Sequence, residues 1–221
     1  MIDWNCIDTV LLDMDGTLLD LHFDNYFWTK HLPRTYAAQH QITEEESSAH
    51  LFGSGSAEQG TLQWYSLDHW SQRLDMDIVA LKREMQHMIS ARPFAIDFLR
   101  RLNSSHRDVL MVTNAHRKTL DIKMDNVDIT PWFDRVVVSH DLLAPKEDQD
   151  FWHRLQDLHP FDPSRTLLID DTEQVLNSAQ QYGIAHLLTL LQPDSKRQKR
   201  IETRFRGIHH FDEIMPENHT L

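Results

Sequence analysis

The sequence predicts an α/β protein with a doubly wound parallel sheet and a helical segment inserted after its first strand. Short apolar runs alternate with helical patterns, which is typical of parallel strands whose two faces are both covered by helices. The stretch from about 20 to 90 carries helical signals and no convincing strand. The 221 residues suffice for one full core and a small inserted domain. We therefore expect a core domain formed by residues 1–19 and 91–221 and a helical domain at 20–90.

The composition is that of a soluble globular chain. Apolar residues make up 40% and charged residues 25%, and the formal net charge is -12. This charge argues against polymeric nucleic acid as a partner, because phosphate backbones are bound by an excess of Lys and Arg. The single cysteine, Cys6, allows no internal disulfide and fits a reducing compartment. Neither a secretory signal nor an apolar run long enough to span a membrane is evident, so we expect a cytoplasmic protein without membrane contact.

The chain is organised around its first predicted strand, Thr9–Leu12. This apolar run ends in Asp13, one spacer residue and Asp15, followed by Gly16 and Thr17. Two acids at i and i+2 on a strand would point to one side of the sheet. Their like charges repel, so both stay ionised only if a cation lies between them or one takes up a proton. This turn is therefore the first candidate for chemistry.

Helical signals mark the inserted segment. Aromatic residues at i, i+3 and i+4 predict a helix that begins near Asp24. Thr43, followed by three glutamates, predicts the N-cap of a second helix. A third helical pattern runs from 62 to 74, and the Gly and Ser residues at 53–56 predict a loop before it.

After the insert, four more apolar runs predict strands that alternate with helices. Pro93 is expected as a first helical residue, with Phe94 on the apolar face that follows. Another helix is expected to carry Leu158 on its inner face, and the last is expected to stop at Gly183. The later strands are predicted at residues 109–113, 135–139, 166–169 and 185–191.

Polar residues stand at the ends of four of the five predicted strands. In an open parallel sheet the functional crevice lies at the carboxyl ends of the strands, where the strand order reverses. Folding does not require a carboxylate at such a position, so these polar ends predict one shared polar pocket. The residues are Asp13, Thr113, Ser139 and the pair Asp170 and Asp171.

The predicted pocket suits Mg²⁺ and a phosphate. Asp13, Asp15 and Asp171, with Asp170 adjacent, offer the oxygen ligands that this hard cation prefers. Lys146, after the third strand, is a candidate partner for a phosphate oxygen or for Asp13. Thr113 and Asn114 are candidate neutral donors to the same substrate.

These residues also predict a covalent reaction. An Asp in the position of Asp13 can attack phosphorus and form an aspartyl phosphate. Asp15 can protonate the leaving alkoxide and later activate water if its pKa is raised toward neutrality. Each acid alone has a plainer explanation, since Asp15-Gly16 could be only a turn and Asp170-Asp171 only a helix cap.

Four separated motifs resemble those of the haloacid dehalogenase-like phosphohydrolase superfamily, in its order and over nearly the whole chain. The resemblance implies a Rossmann-like core and a helical cap at 20–90, between the first and second motifs. It also implies that Asp13 is the nucleophile and Asp15 the acid/base, that Thr113 and Lys146 bind phosphate, and that Asp170 and Asp171 hold Mg²⁺. The motifs are Asp13-Met14-Asp15-Gly16-Thr17, Thr113, Pro145-Lys146 and Ile169-Asp170-Asp171.

A finer resemblance concerns the substrate. Residues 23–28, 62–70, 113–116 and 145–149 are similar to those of bacterial 5'-nucleotidases that act on GMP and IMP. This implies a purine nucleoside 5'-monophosphate as substrate, for a monomer or small homo-oligomer. A phosphatase or phosphoglucomutase of a sugar phosphate would share the core and differ only in the cap. A phospho-receiver, a binding module without an insert, is the non-enzymatic alternative.

Several other residues have an ordinary structural interpretation. Aromatic residues at helical spacing in a small cap are more often core than ligand contacts; these are Trp64, Tyr65 and Trp70, with His69 beside them. Asn25 and His116 are further candidates for the site. The basic run from 196 to 206 is expected to be a solvated face after the last strand.

Overall fold

The computed structural model describes residues 2–53 and 58–217, so the loop predicted at 53–56 lies outside the described residues except for Gly53. The described strands form one sheet, and every pair of neighbours in it is parallel. This confirms the predicted α/β class. The strands are β1 (Thr9–Leu12), β2 (Asp108–Thr113), β3 (Arg135–Val138), β4 (Thr166–Ile169), β5 (His186–Leu190) and β6 (Arg206–Ile208).

The first strand lies near the middle of the sheet. The strand order is β3-β2-β1-β4-β5-β6, so the chain builds outward from β1 in one direction and then returns to build the other half from β4. The order reverses between β1 and β4, where Leu12 is paired with Ile169. A crevice forms at such a reversal, beyond the carboxyl ends of the strands.

Helices precede, separate and cover these strands. A π-helical turn at Phe27–His31 joins the first two helices, and short 3₁₀ turns occur at Trp4–Cys6, Gln86–Met88, Thr130–Trp132, Pro163–Arg165 and Phe211–Ile214. The α-helices are α1 (His22–Tyr26), α2 (Leu32–His40), α3 (Glu44–Phe52), α4 (Leu62–Tyr65), α5 (Leu67–Leu74), α6 (Ile78–Glu84), α7 (Ala95–Asn103), α8 (Arg117–Met124), α9 (Gln149–Leu158) and α10 (Glu173–Tyr182).

Two apolar layers cover the two faces of the sheet. Alternate residues of a strand point to opposite faces, and Leu12 accordingly packs in one cluster while Leu11 packs in the other. The first layer includes Phe98 of α7 and Leu120 of α8. The second includes Trp152 of α9 together with α10. Both layers are fully formed around β1, which places its carboxyl end at a rigid point of the fold.

Between β1 and β2 the described residues form helices and no strand, and these helices have their own apolar cluster around Phe27, Leu51 and Trp70. The expected N-cap at Thr43 is present, because its side chain accepts a hydrogen bond from the backbone N–H of Glu46 and the Glu46 carboxylate accepts one from the backbone N–H of Thr43. The single helical pattern predicted at 62–74 is instead two helices, α4 and α5. Within the described residues, no helix is both long enough and apolar enough to cross a bilayer.

Three local expectations are wrong. Helix α7 begins at Ala95 rather than Pro93, because Phe94 adopts a left-handed φ of 62° and its side chain is 46% exposed. Leu158, expected on the inner face of α9, is the last residue of the helix and is 43% exposed. Strand β6 was not expected, since its three residues include Gly207 and form no apolar run.

Candidate active site

Three carboxylates meet at the carboxyl ends of β1 and β4. Because these strands are paired, Asp13 follows β1 beside the pair Asp170 and Asp171 that follows β4. The backbone N–H of Asp13 donates to the carbonyl of Ile169 at 3.0 Å, which fixes the two strand ends to each other. One oxygen from each of the three carboxylates lies within 4.8 Å of the others, and all three residues are buried.

Lys146 lies among these acids and is itself buried. Its amino group donates to Oδ1 of Asp13 at 2.6 Å, to Oδ2 of Asp170 at 2.7 Å and to the carbonyl of Val112 at 3.1 Å. An ammonium group has three N–H donors, so all three are used. Burial opposes its charge, but the carboxylates of Asp13 and Asp170 outweigh that effect and raise the pKa of Lys146.

The acids outnumber the cations that neutralise them. Burial raises the pKa of Asp13 to about 6, although Lys146 acts in the opposite direction. Burial and the neighbouring charges of Asp13 and Asp170 raise the pKa of Asp171 well above its usual value. The nearest counter-charge on Asp171 is Arg200, at 3.8 Å from Oδ2. A buried, all-oxygen set of carboxylates with this excess of negative charge fits a hard divalent cation.

Asp15 lies apart from this group. Its carboxylate is not one of the three that cluster; instead Oδ1 accepts a hydrogen bond from Lys123 of α8. Burial raises the pKa of Asp15 to about 6, against the opposing charge of Lys123. The turn after it depends on Gly16, whose φ is +84° and whose added Cβ would lie 2.7 Å from the Asp171 carboxylate. Glycine therefore lets this loop approach the third acid closely.

The end of β2 contributes a hydrogen-bonded chain. Asn114 accepts from the backbone N–H of Lys146 at 3.0 Å and donates to Oε2 of Glu147 at 2.8 Å. Oε1 of Glu147 accepts from the hydroxyl of Tyr65, in α4 of the insert, at 2.6 Å. Thr113 is buried, and its hydroxyl oxygen accepts from the backbone N–H of Ala115 at 3.0 Å. Because Thr113 is the acceptor in that bond, its own hydroxyl proton is not used there.

A cavity of about 680 Å³ joins these groups to the helical insert. Its core side is lined by Asp13, Asp15, Asp171 and Lys146, together with Thr113 and Asn114. Its insert side is lined by five aromatic side chains together with leucines and polar residues, and Glu58 and Arg73 are among the charged ones. The volume lies within the range of small-molecule sites. The insert-side aromatic residues are Trp28, Phe52, Trp64, Tyr65 and Trp70.

The structure brings most of the predicted residues together. Asp170 is 1% exposed and contacts Lys146 rather than lining the cavity, so it lies deeper than Asp171. Ser139 is buried beyond β3 and does not line this cavity, contrary to the expectation of one pocket for all polar strand ends. Asn25 lines the cavity and donates to Asp194 at 2.8 Å, whereas His116 stacks edge-on against His140.

The structure corrects the interpretation of several other residues. Trp70 is core, as expected, at 2% exposure, whereas Trp64 and Tyr65 are half-buried and Tyr65 reaches the core domain through Glu147. Within the basic run from 196 to 206, Arg200 donates to the carbonyl of Asp171 at 2.6 Å. That run is therefore more than a solvated face. Lys123 was missed in the sequence analysis, and Glu147 was included only within the stretch 145–149, without an assigned role.

Comparisons with known proteins agree with this geometry. Residues 10–189 match the haloacid dehalogenase-like hydrolase family. The chain is 38% identical over 215 residues to the GMP/IMP nucleotidase YrfG of Escherichia coli strain K12, which covers 97% of each chain. Among solved structures it is similar to a HAD phosphatase from Thermococcus onnurineus, with a TM-score of 0.73, 17% identity and coverage of 94% and 95%. The magnesium-bound HAD-hydrolase YfnB from Bacillus subtilis gives a TM-score of 0.63 at 17% identity, with coverage of 94% and 96%.

The fold and the buried acid cluster define a hydrolase of the α/β class with a parallel sheet. The chain belongs to the haloacid dehalogenase-like hydrolase family. Its full-length relative extends this likeness to the nucleotidases within that family. Membership excludes the phospho-receiver alternative, whose fold has no insert between its first two strands.

Proposed function

We propose that the chain is a Mg²⁺-dependent phosphomonoesterase, and specifically a 5'-nucleotidase of purine nucleoside monophosphates. The observation that carries the proposal is the meeting of Asp13, Asp171 and Lys146 at one end of a cavity whose other end is aromatic. Phosphate chemistry belongs at the charged end and a nucleobase at the aromatic one. The full-length relative with 38% identity supports this assignment.

In the proposed site Asp13 and Asp171 hold the cation, with Asp170 and Asp15 completing its surroundings. The cluster formed by the first three of these residues supports this role, and the raised pKa values of Asp13 and Asp171 reflect the need for a counter-charge. When bound, Mg²⁺ supplies charge stabilisation to the phosphoryl oxygens of the substrate. Asp15 pairs with Lys123 and lies outside that cluster, so it borders the cation site rather than forming its centre.

Asp13 acts as the nucleophile in this proposal. Lys146 occupies Oδ1, so Oδ2 is the oxygen that attacks phosphorus. The new bond joins Oδ2 to phosphorus, and the bond between phosphorus and the ester oxygen breaks. Asp15 donates its proton to that oxygen, so the leaving group departs as an alcohol. Asp15 then takes a proton from the water that attacks phosphorus, and the bond between Oδ2 and phosphorus breaks to release phosphate and regenerate Asp13. The raised pKa of Asp15, about 6, suits both transfers.

Thr113 and Asn114 bind the phosphate by hydrogen bonds, and Lys146, whose three donors are already used, acts on it through its charge. Thr113 keeps its hydroxyl proton for a phosphate oxygen, because the hydroxyl oxygen already accepts from Ala115. Asn114 is held on both sides, by Lys146 and Glu147, and therefore presents a fixed edge to the substrate. Lys146 contributes positive charge at the point where the transferring group meets Asp13.

The far end of the cavity suits a 6-oxopurine. Trp28 and Trp64 offer rings against which a base can stack, a contact worth about 1–3 kcal/mol. Arg73 donates to Glu58 at 3.1 Å, so this end presents a donor and an acceptor side by side. GMP and IMP share an O6 acceptor next to an N1–H donor, which matches that pair. AMP presents the reverse order, an acceptor at N1 and a donor at N6, so it could meet the same pair only with the two contacts exchanged, Arg73 at N1 and Glu58 at N6.

This assignment gives residues 20–90 the role of a cap over the core domain formed by 1–19 and 91–221. The cap supplies the base end of the cavity, and the core supplies the phosphate end. The partner is thus a small phosphorylated metabolite, for which we propose a purine nucleotide. The monomeric or small homo-oligomeric state and the cytoplasmic location stay predictions.

A panel of nucleotides and sugar phosphates, assayed with Mg²⁺ and compared by kcat/KM, tests the proposal. We expect GMP and IMP to lead the panel and AMP to follow well behind. A sugar phosphate in first place would contradict the nucleotidase assignment while leaving the phosphatase intact. Chelation by EDTA should abolish turnover and Mg²⁺ should restore it, and full activity in chelator would refute the metal assignment.

A further inference from the structure

Asp15 is the first of four alternating charges, and the proposed reaction does not use the other three directly. Lys123 of α8 donates to Oδ1 of Asp15 and to Oδ2 of Asp24 in α1. Oδ1 of Asp24 accepts from Lys82 of α6 at 2.6 Å. The side chains of Lys123 and Lys82 are only 2% and 1% exposed, respectively. This row of charges therefore runs from the turn after β1, through the core helix α8, to the first and last α-helices of the insert.

A fold has little reason to build such a network for stability alone. Lysine is almost never fully buried unless it is paired, and well-packed apolar residues often stabilise a core at least as well as a buried ion pair. The Lys82 amino group also lies 4.8 and 4.9 Å from the ring centres of Phe23 and Phe27, an aromatic setting that an apolar side chain would fill readily. This cost is explained if the network positions a group at the site.

The geometry shows which group that is. Lys123 is the side chain that binds Oδ1 of Asp15, and Asp15 lines the cavity. With Oδ1 held by Lys123, Oδ2 is the oxygen left for the substrate. Asp24 in turn fixes the Lys123 amino group from the other side, because its two oxygens are divided between Lys123 and Lys82.

We propose that Lys123 is a positioning residue for the acid/base Asp15, and that Asp24 anchors it to the helical insert. Lys123 orients Asp15 so that Oδ2 carries the proton to the leaving oxygen. Since Asp24 and Lys82 belong to the insert, this orientation is correct only when the insert lies against α8. The inference rests on the proposed role of Asp15 as general acid.

The test compares two substrates whose leaving groups differ in their need for a proton. The alkoxide leaving from GMP must be protonated, whereas nitrophenolate leaves from p-nitrophenyl phosphate without a proton. We expect Lys123→Met to lower kcat/KM for GMP about 100-fold, within the usual range for general acid catalysis, and to lower kcat/KM for p-nitrophenyl phosphate less than about 5-fold. Lys123→Arg, which retains the charge, should recover part of the loss with GMP.

Lys118→Met is the matched control. Lys118 lies on the same helix and also pairs with the insert, through Asp68, but it is half exposed and does not touch Asp15. Its ratio of GMP to p-nitrophenyl phosphate activity should equal that of the wild type. Equal losses with both substrates in Lys123→Met would indicate a purely structural role and overturn the inference.

Two further variants keep the outcomes distinct. Asp24→Asn retains Lys123 but weakens its anchor. The ratio of kcat/KM for GMP to kcat/KM for p-nitrophenyl phosphate should therefore fall, and this test remains available if Lys123→Met fails to fold. An unchanged ratio in Asp24→Asn would contradict the anchoring role of Asp24. Asp15→Asn, which removes the general acid itself, should show the largest fall in this ratio. If Asp15→Asn keeps the wild-type ratio, Asp15 is not the general acid and the proposed function is wrong on this point. If the ratio falls in Asp15→Asn but not in Lys123→Met, only the positioning role of Lys123 fails.

Discussion

Lys146 donates a hydrogen bond of 2.6 Å to Oδ1 of Asp13, and both residues are buried. A second bond, to Asp170, makes the same amino group the counter-charge of two carboxylates. Removing one partner of a buried charge pair leaves the other uncompensated, which typically costs 3–5 kcal/mol. Lys146 therefore contributes to the stability of the fold, and in the proposed reaction the same group acts on the substrate.

Lys146→Met should consequently be less stable than the wild type by roughly 3–5 kcal/mol at neutral pH. We expect activity to fall to background at the same time. Urea unfolding followed by circular dichroism measures the first effect. Lys196→Met, on the loop after β5, is the control and should stay within about 0.5 kcal/mol of the wild type. Equal stability of the two variants would show that Lys146 does not neutralise the acids.

Asp13→Asn should abolish phosphate release, by at least about 1,000-fold, because an amide cannot form the aspartyl phosphate. The substitution preserves shape, so the fold should be retained. Acid quenching of the wild type during turnover of radiolabelled substrate should trap label on the protein, and the variant should trap none. Label that persists in Asp13→Asn would move the nucleophile elsewhere.

Asp171 links stability of the metal-free protein to pH. Its pKa is raised in the folded state above the ordinary value of 3.8, chiefly by burial. The folded protein then binds the proton more tightly than the unfolded chain, so this group lowers stability as pH rises from about 4 through the folded-state pKa. Ionisation of Asp171 without a bound cation is thus unfavourable to the fold.

Asp171→Asn removes that charge and should stabilise the metal-free protein at pH 8. Each unit of pKa shift corresponds to about 1.4 kcal/mol, and 1 kcal/mol moves Tm by about 2–4 °C in a chain of this size. No gain is expected near pH 4, where the wild-type carboxyl is already protonated. Thermal melts at both pH values, with and without Mg²⁺, check this. A variant that still gains Tm on addition of Mg²⁺ would argue against Asp171 as a ligand.

Arg73→Ala should reduce the preference for GMP over AMP about 10-fold or more, because the donor to O6 is lost. Hydrolysis of p-nitrophenyl phosphate, which has no base, should be unchanged. The measurement is the ratio of kcat/KM for the two nucleotides. Arg83→Ala is a suitable control, since Arg83 is an exposed residue of the insert that pairs with Asp125 away from the cavity. An unaltered nucleotide ratio in Arg73→Ala would place base recognition on other side chains.

The central acids of the site could be predicted from the sequence because the pattern that marks them is local. Asp13 follows directly on a short apolar run and Asp171 comes second after another, behind Asp170; the pairing of those runs in a parallel sheet brings the acids together. Glu147 and Arg200 have no such signal. Each reaches the site from a loop, and its relevance depends on a partner distant in the chain, Tyr65 for one and Asp171 for the other.

Lys123 illustrates the same limit inside a helix. Its spacing from Leu120 puts it on the buried side of α8, but a lysine there has no visible partner in the sequence; its side chain is 2% exposed because Asp15 and Asp24 supply the counter-charges. Tertiary pairing here overrides the preference of lysine for solvent. The start of α7 was misplaced for a different reason, since the left-handed φ of Phe94 is imposed by the turn and does not follow from residue type.

The position of β1 in the sheet governs when the enzyme can assemble. Its two neighbours end only at Thr113 and Ile169, so in a nascent polypeptide this apolar strand has no neighbour until about half of the chain has been made, and it has both only after about three quarters. The intervening helices make many of their contacts locally and do not face that delay. Catalytic competence should accordingly appear late and abruptly during synthesis, once β4 has docked beside β1.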